Sequence, residues 1–241
     1  MRTSFSFFLC LLLLLFAENS FAQVKSPYKK GDVLTVFYID GLNFRKEPSI
    51  DSEVITRLNF GTKVTVIDDS IGFHAFEDDF IGGYMLKGAW VLVECKEGKG
   101  YVFDGYLSSL KIAEIEYDVY GNMKESLEQM LKDQTATEAK KKHKKGRGEY
   151  TLKTYKNGWT EGIGTYNDCQ YHEIRVSNLS FNESLLLARV LGASGAMTRD
   201  VENKNIYHFN NCYSREALQF EYEDKTFVLR NYTCPLKWEK E

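Results

Sequence analysis

The sequence predicts a mainly β protein: a small barrel of short strands, then a helical linker, then an α+β domain. Three observations carry this. From Gly31 to Ile112, short runs rich in β-branched and aromatic residues are separated by glycines, as strands are by turns. Over Asn122–Lys145, Met123, Leu127, Met130 and Leu131 recur at helical spacing. Beyond Gly148, hairpin signals flank one strong helix start.

Before the barrel, residues 1–22 combine Arg2, an apolar run from Phe5 to Phe16 and a small-residue end at Ser20-Phe21-Ala22. That is the pattern of a secretory signal peptide cleaved near Ala22, and its apolar run is too short for a membrane span. Cys10 lies inside the run among leucines, which disfavours lipid attachment. The expectation is an exported protein, periplasmic or secreted, with no transmembrane segment in the mature chain. Removing Arg2 and Glu18 leaves the formal charge at −3, so no domain-wide basic field suggests nucleic acid as a partner.

Within 31–112, Val33–Tyr38, Lys63–Ile67 and Trp90–Val93 read as strands, with Val64 and Val66 on one face. Gly41, Gly61, Gly88, Gly98, Gly100 and Gly105 fall between runs. The connection Asp68–Lys87 is long and holds Phe73-His74-Ala75-Phe76, Glu77-Asp78-Asp79 and Phe80-Ile81-Gly82-Gly83-Tyr84. It is expected to be an extended hairpin folded on the barrel side, or alternatively an aromatic clamp beside a groove.

Leu42-Asn43-Phe44-Arg45 with Pro48-Ser49, then Gly61, Trp90, Gly100-Tyr101-Val102 and Gly105-Tyr106-Leu107, follow one another in a fixed order. In this train the 31–112 region resembles the bacterial SH3 (SH3b) domain family, with Phe44 where Val is usual and Tyr101 where Trp is usual. The resemblance implies a small barrel acting as a binding module, with a cell-wall peptide or an extended peptide of an envelope protein as partner. The groove candidates are Tyr38, Asn43, Arg45, Trp90, Tyr101 and Tyr106, rings and a planar cation suited to peptide contact. Trp90 and Phe44, each taken singly, read more readily as core, and Arg45 reads equally as a residue that holds the following turn.

The linker, 113–147, ends in Lys140-Lys141-Lys142-His143-Lys144-Lys145 and Arg147, a run read as a solvated helix end or linker, with contact to anionic wall polymers or lipid headgroups as the alternative. In the domain 148–241, Glu149–Tyr155 and Trp159–Tyr166 flank an Asn157-Gly158 turn, and Tyr171–Val176 is a further strand. Ser180 and Glu183 form a capping box opening the helix Phe181–Leu191. Asn205–Phe209 and a final hairpin, Ala217–Tyr222 with Thr226–Arg230, complete a sheet.

The mature chain keeps Cys95, Cys169, Cys212 and Cys234, an even count that suits disulfides in an exported protein. Pairing Phe220 with Phe227 and Leu218 with Leu229 brings Cys212 close to Cys234, which makes these the disulfide candidates; Cys95–Cys169 is the weaker alternative. No cysteine or histidine spacing fits a metal site, and no nucleophile elbow, phosphate loop or dinucleotide motif occurs. No cofactor is expected. Catalysis is not expected either: a cell-wall hydrolase using Cys169 and His172 is an alternative, but the pair precedes a strand instead of opening a helix. Glu161, Asp168 and Glu173 are carboxylates too common to assign. A last alternative is a structural or protein-interaction role carried by the C-terminal domain.

Overall fold

The computed structural model describes residues 26–69, 76–81, 84–112, 127–128, 130–132, 134–143, 146–193, 195–210 and 217–232. In the first half these form β1 (Val33–Val36), β2 (Leu42–Arg45), β3 (Val54–Leu58), β4 (Lys63–Asp68), β5 (Phe76–Ile81), β6 (Tyr84–Gly88), β7 (Trp90–Cys95), β8 (Gly98–Phe103) and β9 (Leu107–Ser108). Seven of them make one antiparallel sheet in the order β3-β2-β8-β7-β4-β1-β9. No ladder joins β3 to β9 among the described residues, so "barrel" here means a sheet curled around a core.

That core follows from alternation. On β2, Leu42 and Phe44 are buried while Asn43 is exposed, and Leu34, Val36, Val64, Val66, Val91, Val93 and Val102 fill the same interior. Gly100 is where β8 crosses β2: a Cβ there would lie 2.8 Å from the Arg45 carbonyl and 2.8 Å from the Phe44 ring. The long connection contains a hairpin in which β5 pairs, among the described residues, with β6 alone. Its return strand packs inward through Leu86, and Phe73-His74-Ala75 lie outside the described residues.

The second half forms β10 (Ala136–Lys142), β11 (Glu149–Tyr155), β12 (Thr160–Tyr166), β13 (Cys169–Ser177), helix α1 (Phe181–Val190), β14 (Ala196–Arg199), β15 (Ile206–Asn210), β16 (Ala217–Glu223) and β17 (Thr226–Tyr232). The strands build one antiparallel sheet, β10-β11-β12-β13-β17-β16-β15-β14. Ser180 and Glu183 form the expected capping box, and Leu185, Leu186, Leu187 and Ala188 bury the helix against the sheet core. With Phe209, Phe220, Phe227 and Leu229 they belong to the same apolar cluster as the barrel interior.

Two expectations need correction. The helical linker does not run to Lys145. Leu127, Met130 and Leu131 are buried, with one helical bond from the Leu131 amide to the Leu127 carbonyl, but Ala136–Lys142 is strand β10. All seven of its residues are exposed, because an edge strand held by backbone bonds to β11 needs no apolar period to betray it. Its lysines suit an edge that must not pair further. The final hairpin is also offset by two residues: Phe220 faces Leu229, Tyr222 faces Phe227, and the turn is Asp224-Lys225. Both turn residues have positive φ, 49° and 58°, the twist a two-residue hairpin favours. A shift of two keeps the apolar face inward but removes the register on which the Cys212–Cys234 pairing rested. Both of those cysteines lie outside the described residues.

The two halves meet at the start of α1. Glu183, 7% exposed, closes the capping box with Oε2 and turns Oε1 to the barrel, accepting from the Ser108 hydroxyl at 2.7 Å and the Ser109 amide at 3.2 Å. Asn182 donates to the Lys87 carbonyl at 2.7 Å, and the Phe181 ring meets Tyr84 edge-on at 5.1 Å.

Candidate functional site

The six groove candidates fall into distinct settings. Arg45 and Tyr101 face each other across the β2–β8 ladder, and Asn43 lies two residues along the same outward face, exposed. The Arg45 guanidinium donates to the Ser52 carbonyl at 2.6 Å, so it fastens the loop that follows β2. The Ser52 hydroxyl accepts from the Glu47 amide in that same loop. Arg45 therefore holds a turn, the second of the two roles its sequence position suggested.

Tyr38 and Tyr106 stack at 4.4 Å between centroids. Tyr106 meets Phe103 edge-on at 5.6 Å, and Phe103 meets Trp90 at 6.2 Å. This makes a continuous row of rings from the half-exposed Tyr38 inward to Trp90, which is only 5% exposed. Trp90 and Tyr106 thus back the surface rings, while Tyr38, Asn43, Arg45 and Tyr101 reach the surface. Phe103, which joins the row, was missed by sequence reasoning; its signal is its place immediately before Asp104 and the Gly105-Tyr106-Leu107 motif.

In the C-terminal sheet Cys169 and His172 are three residues apart on β13, and side chains that far apart on a strand point to opposite faces. Cys169 is disulfide-bonded while Cys95 is a free thiol, so the Cys95–Cys169 alternative is not formed. His172 instead touches Glu161, Nε2 to Oε1 at 2.8 Å. Glu161, 1% exposed, also accepts from the Tyr155 hydroxyl at 2.8 Å and has Lys153 at 3.6 Å. Burial alone raises this carboxyl, but the hydrogen bonds from His172 and Tyr155, with the charges of His172 and Lys153, outweigh it and hold the group below its ordinary value.

The structure does not bring Glu161, Asp168 and Glu173 together. Asp168 pairs with Arg147 at the surface at 2.9 Å, and Glu173 with Arg230 at 2.7 Å on the other face of the sheet from Glu161. His143 sits among Tyr150, Tyr166 and Tyr171, and His208 contacts Asp200. Among the described residues no group of three or more His, Cys, Asp or Glu side chains could hold a metal ion, and no helix is long and apolar enough to cross a membrane.

Residues 40–108 match the family model of the bacterial SH3 domain, within the span where the motif train lies, and the C-terminal half has no family match. No curated protein and no solved structure matches the chain.

Proposed function

We propose that this chain is a non-catalytic binding protein of the bacterial cell envelope, whose barrel takes a cell-wall peptide or an extended peptide of a protein partner. The observation that supports this most is the SH3-domain match at 40–108, over a domain that brings Asn43, Arg45 and Tyr101 to the surface on β2 and β8 and, separately, the partly exposed Tyr38. Aromatic rings offer contact area at low entropic cost, and a ring row anchored on Trp90 and Phe103 keeps Tyr38 rigid. Export rests on the character of residues 1–22.

The hydrolase alternative draws no support from the C-terminal sheet. A cysteine in a disulfide has no thiolate to attack with, and His172 faces away from it toward Glu161. The alternative of a partner seated on the C-terminal sheet predicts an envelope protein that co-purifies with the chain and persists when the barrel surface is altered.

Sedimentation with purified peptidoglycan tests the wall reading. Wild type is expected in the pellet, and Tyr38→Ala and Tyr101→Ala are each expected to be retained several-fold less. Equal retention of all three, or none, sinks it. Trp90→Ala is the wrong probe, since emptying that buried site costs about 3–5 kcal/mol of fold stability.

A further inference from the structure

We propose that the crevice between the barrel and the start of α1 is a second binding subsite, built to receive a primary ammonium group on the carboxylate of Asp104. The crevice has a volume of 180 Å³, and its lining includes Tyr28, Lys87, Asp104, Gly105, Phe181 and Glu183. The 3₁₀ turn Asp104–Tyr106 contributes Asp104 and Gly105 to it, and neither Arg45 nor Tyr101 lines it. The inference does not depend on what the outer face of the barrel binds.

Asp104 is 3% exposed, and its two oxygens are treated differently. Oδ1 accepts from the Ala89 amide at 2.7 Å, whereas Oδ2 has no hydrogen-bond partner. Ser26, itself buried, steadies the carboxylate but falls short of hydrogen-bond geometry to Oδ2. A buried carboxylate oxygen left unpaired is costly, and native structures rarely carry one without a use. The position is also built to hold it: a Cβ at Gly88 would collide with Asp104 Oδ1 and the Gly105 amide.

The remaining groups decide the sign of the ligand. Glu183 is already served on both oxygens by Ser108, Ser109 and Ser180. Tyr28 donates its hydroxyl to the Leu107 carbonyl at 2.8 Å, which leaves its oxygen able to accept. Burial and the negative charges of Glu183, Asp104 and Asp32 push the Tyr28 phenol up, the mark of an electronegative site. Of the amides in the first turn of α1, those of Glu183 and Ser184 are bonded to Ser180. What is missing is therefore a donor with positive charge. A guanidinium needs two acceptors side by side, and Asp104 has one to give, so a compact ammonium fits better. Either a lysine-type side chain or a peptide α-amine supplies that chemistry.

The test is an amide-shift titration of the full mature chain with n-butylammonium, using 1-butanol as the uncharged control. Saturable shifts of Gly105, Leu107 and Phe181 are expected with the amine at pH 7.5 and not with the alcohol. Burial raises the Asp104 carboxyl to about 6, so affinity should fall at least fivefold at pH 5 as the carboxylate protonates. Asp104→Asn should abolish the response while keeping the folded spectrum. Parallel titrations with N-acetyl-lysine amide and glycinamide separate the side-chain source from the α-amine source. Equal shifts with butanol, no saturable shift, or binding that survives in folded Asp104→Asn overturns the proposal. If that variant does not fold, an affinity unchanged between pH 7.5 and 5 overturns it on the wild type.

Discussion

The C-terminal sheet and the barrel junction each bury a carboxylate, and they answer the same desolvation in opposite ways. Glu161 in the sheet is surrounded by Tyr155, His172 and Lys153, and its carboxyl is held below the ordinary value. Asp104 at the junction has the Ala89 amide on one oxygen and Ser26 to steady it, which do not offset burial, and its carboxyl is raised to about 6. The difference teaches which buried charge is a structural part and which is a vacancy in the hydrogen-bond accounting. A fully served carboxylate stabilises the fold when ionised. An underserved one destabilises it when ionised, and its retention calls for a ligand.

The contrast breaks most sharply at a third carboxylate, Glu183, which serves both regions at once. Glu183→Ala is expected to destabilise the protein by about 3 kcal/mol, from a lost helix cap together with an orphaned buried hydroxyl on Ser108. Chemical denaturation read by both tryptophan fluorescence and far-UV circular dichroism checks this. Next in size, Glu161→Gln should cost about 2 kcal/mol, because it removes the charge that His172 and Lys153 face. A loss under about 0.5 kcal/mol would mean that the cluster is ornamental, as surface ion pairs often are.

The smallest effect sharpens the comparison by its sign. Asp104 is raised in the folded state from 3.8 to about 6, so the folded protein binds the extra proton, and stability rises as pH falls from about 6 toward 4. Between pH 7 and 5 the gain should be about 1 kcal/mol, and Asp104→Asn should flatten it. Glu161 works the other way. Its folded value lies below 4.5, so its contribution is present above that pH and is lost as pH falls through the lower folded value. Denaturation midpoints across pH 3–8 should show a maximum near pH 4–5 in wild type, and a plateau in place of the rise in Asp104→Asn.

Much of the scaffold could be read from the chain because its causes are local. Leu42, Phe44, Val64 and Val66 announce strands by period two, Asn157-Gly158 announces a hairpin, and Ser180 with Glu183 announces a helix start, each within a few residues. Strand β10 was not legible, since its residues are all exposed and backbone pairing alone holds it. The final hairpin was mis-set by two because a period of two cannot distinguish registers that differ by two. The site was legible only in part. Tyr101 beside Arg45 follows from the motif order, but the stack of Tyr38 on Tyr106 and the Ser108–Glu183 contact join residues 68 and 75 positions apart. No spacing rule reaches that far. Asp104 was passed over for the same reason: its burial is made by Gly88, Ala89 and a helix that begins more than seventy residues later.

The lysines of β10 have a consequence for the protein in a crowd. Lys140, Lys141 and Lys142 are exposed along β10, the outermost strand of the eight-stranded sheet among the described residues. Two copies approaching margin to margin bring like charges together before any backbone bond can form, and the repulsion reaches about 8–10 Å at ordinary ionic strength. The molecule therefore carries its own barrier against stacking into ribbons. That barrier is set by salt: concentrated solutions should stay clear in dilute buffer and scatter light first as the ionic strength climbs.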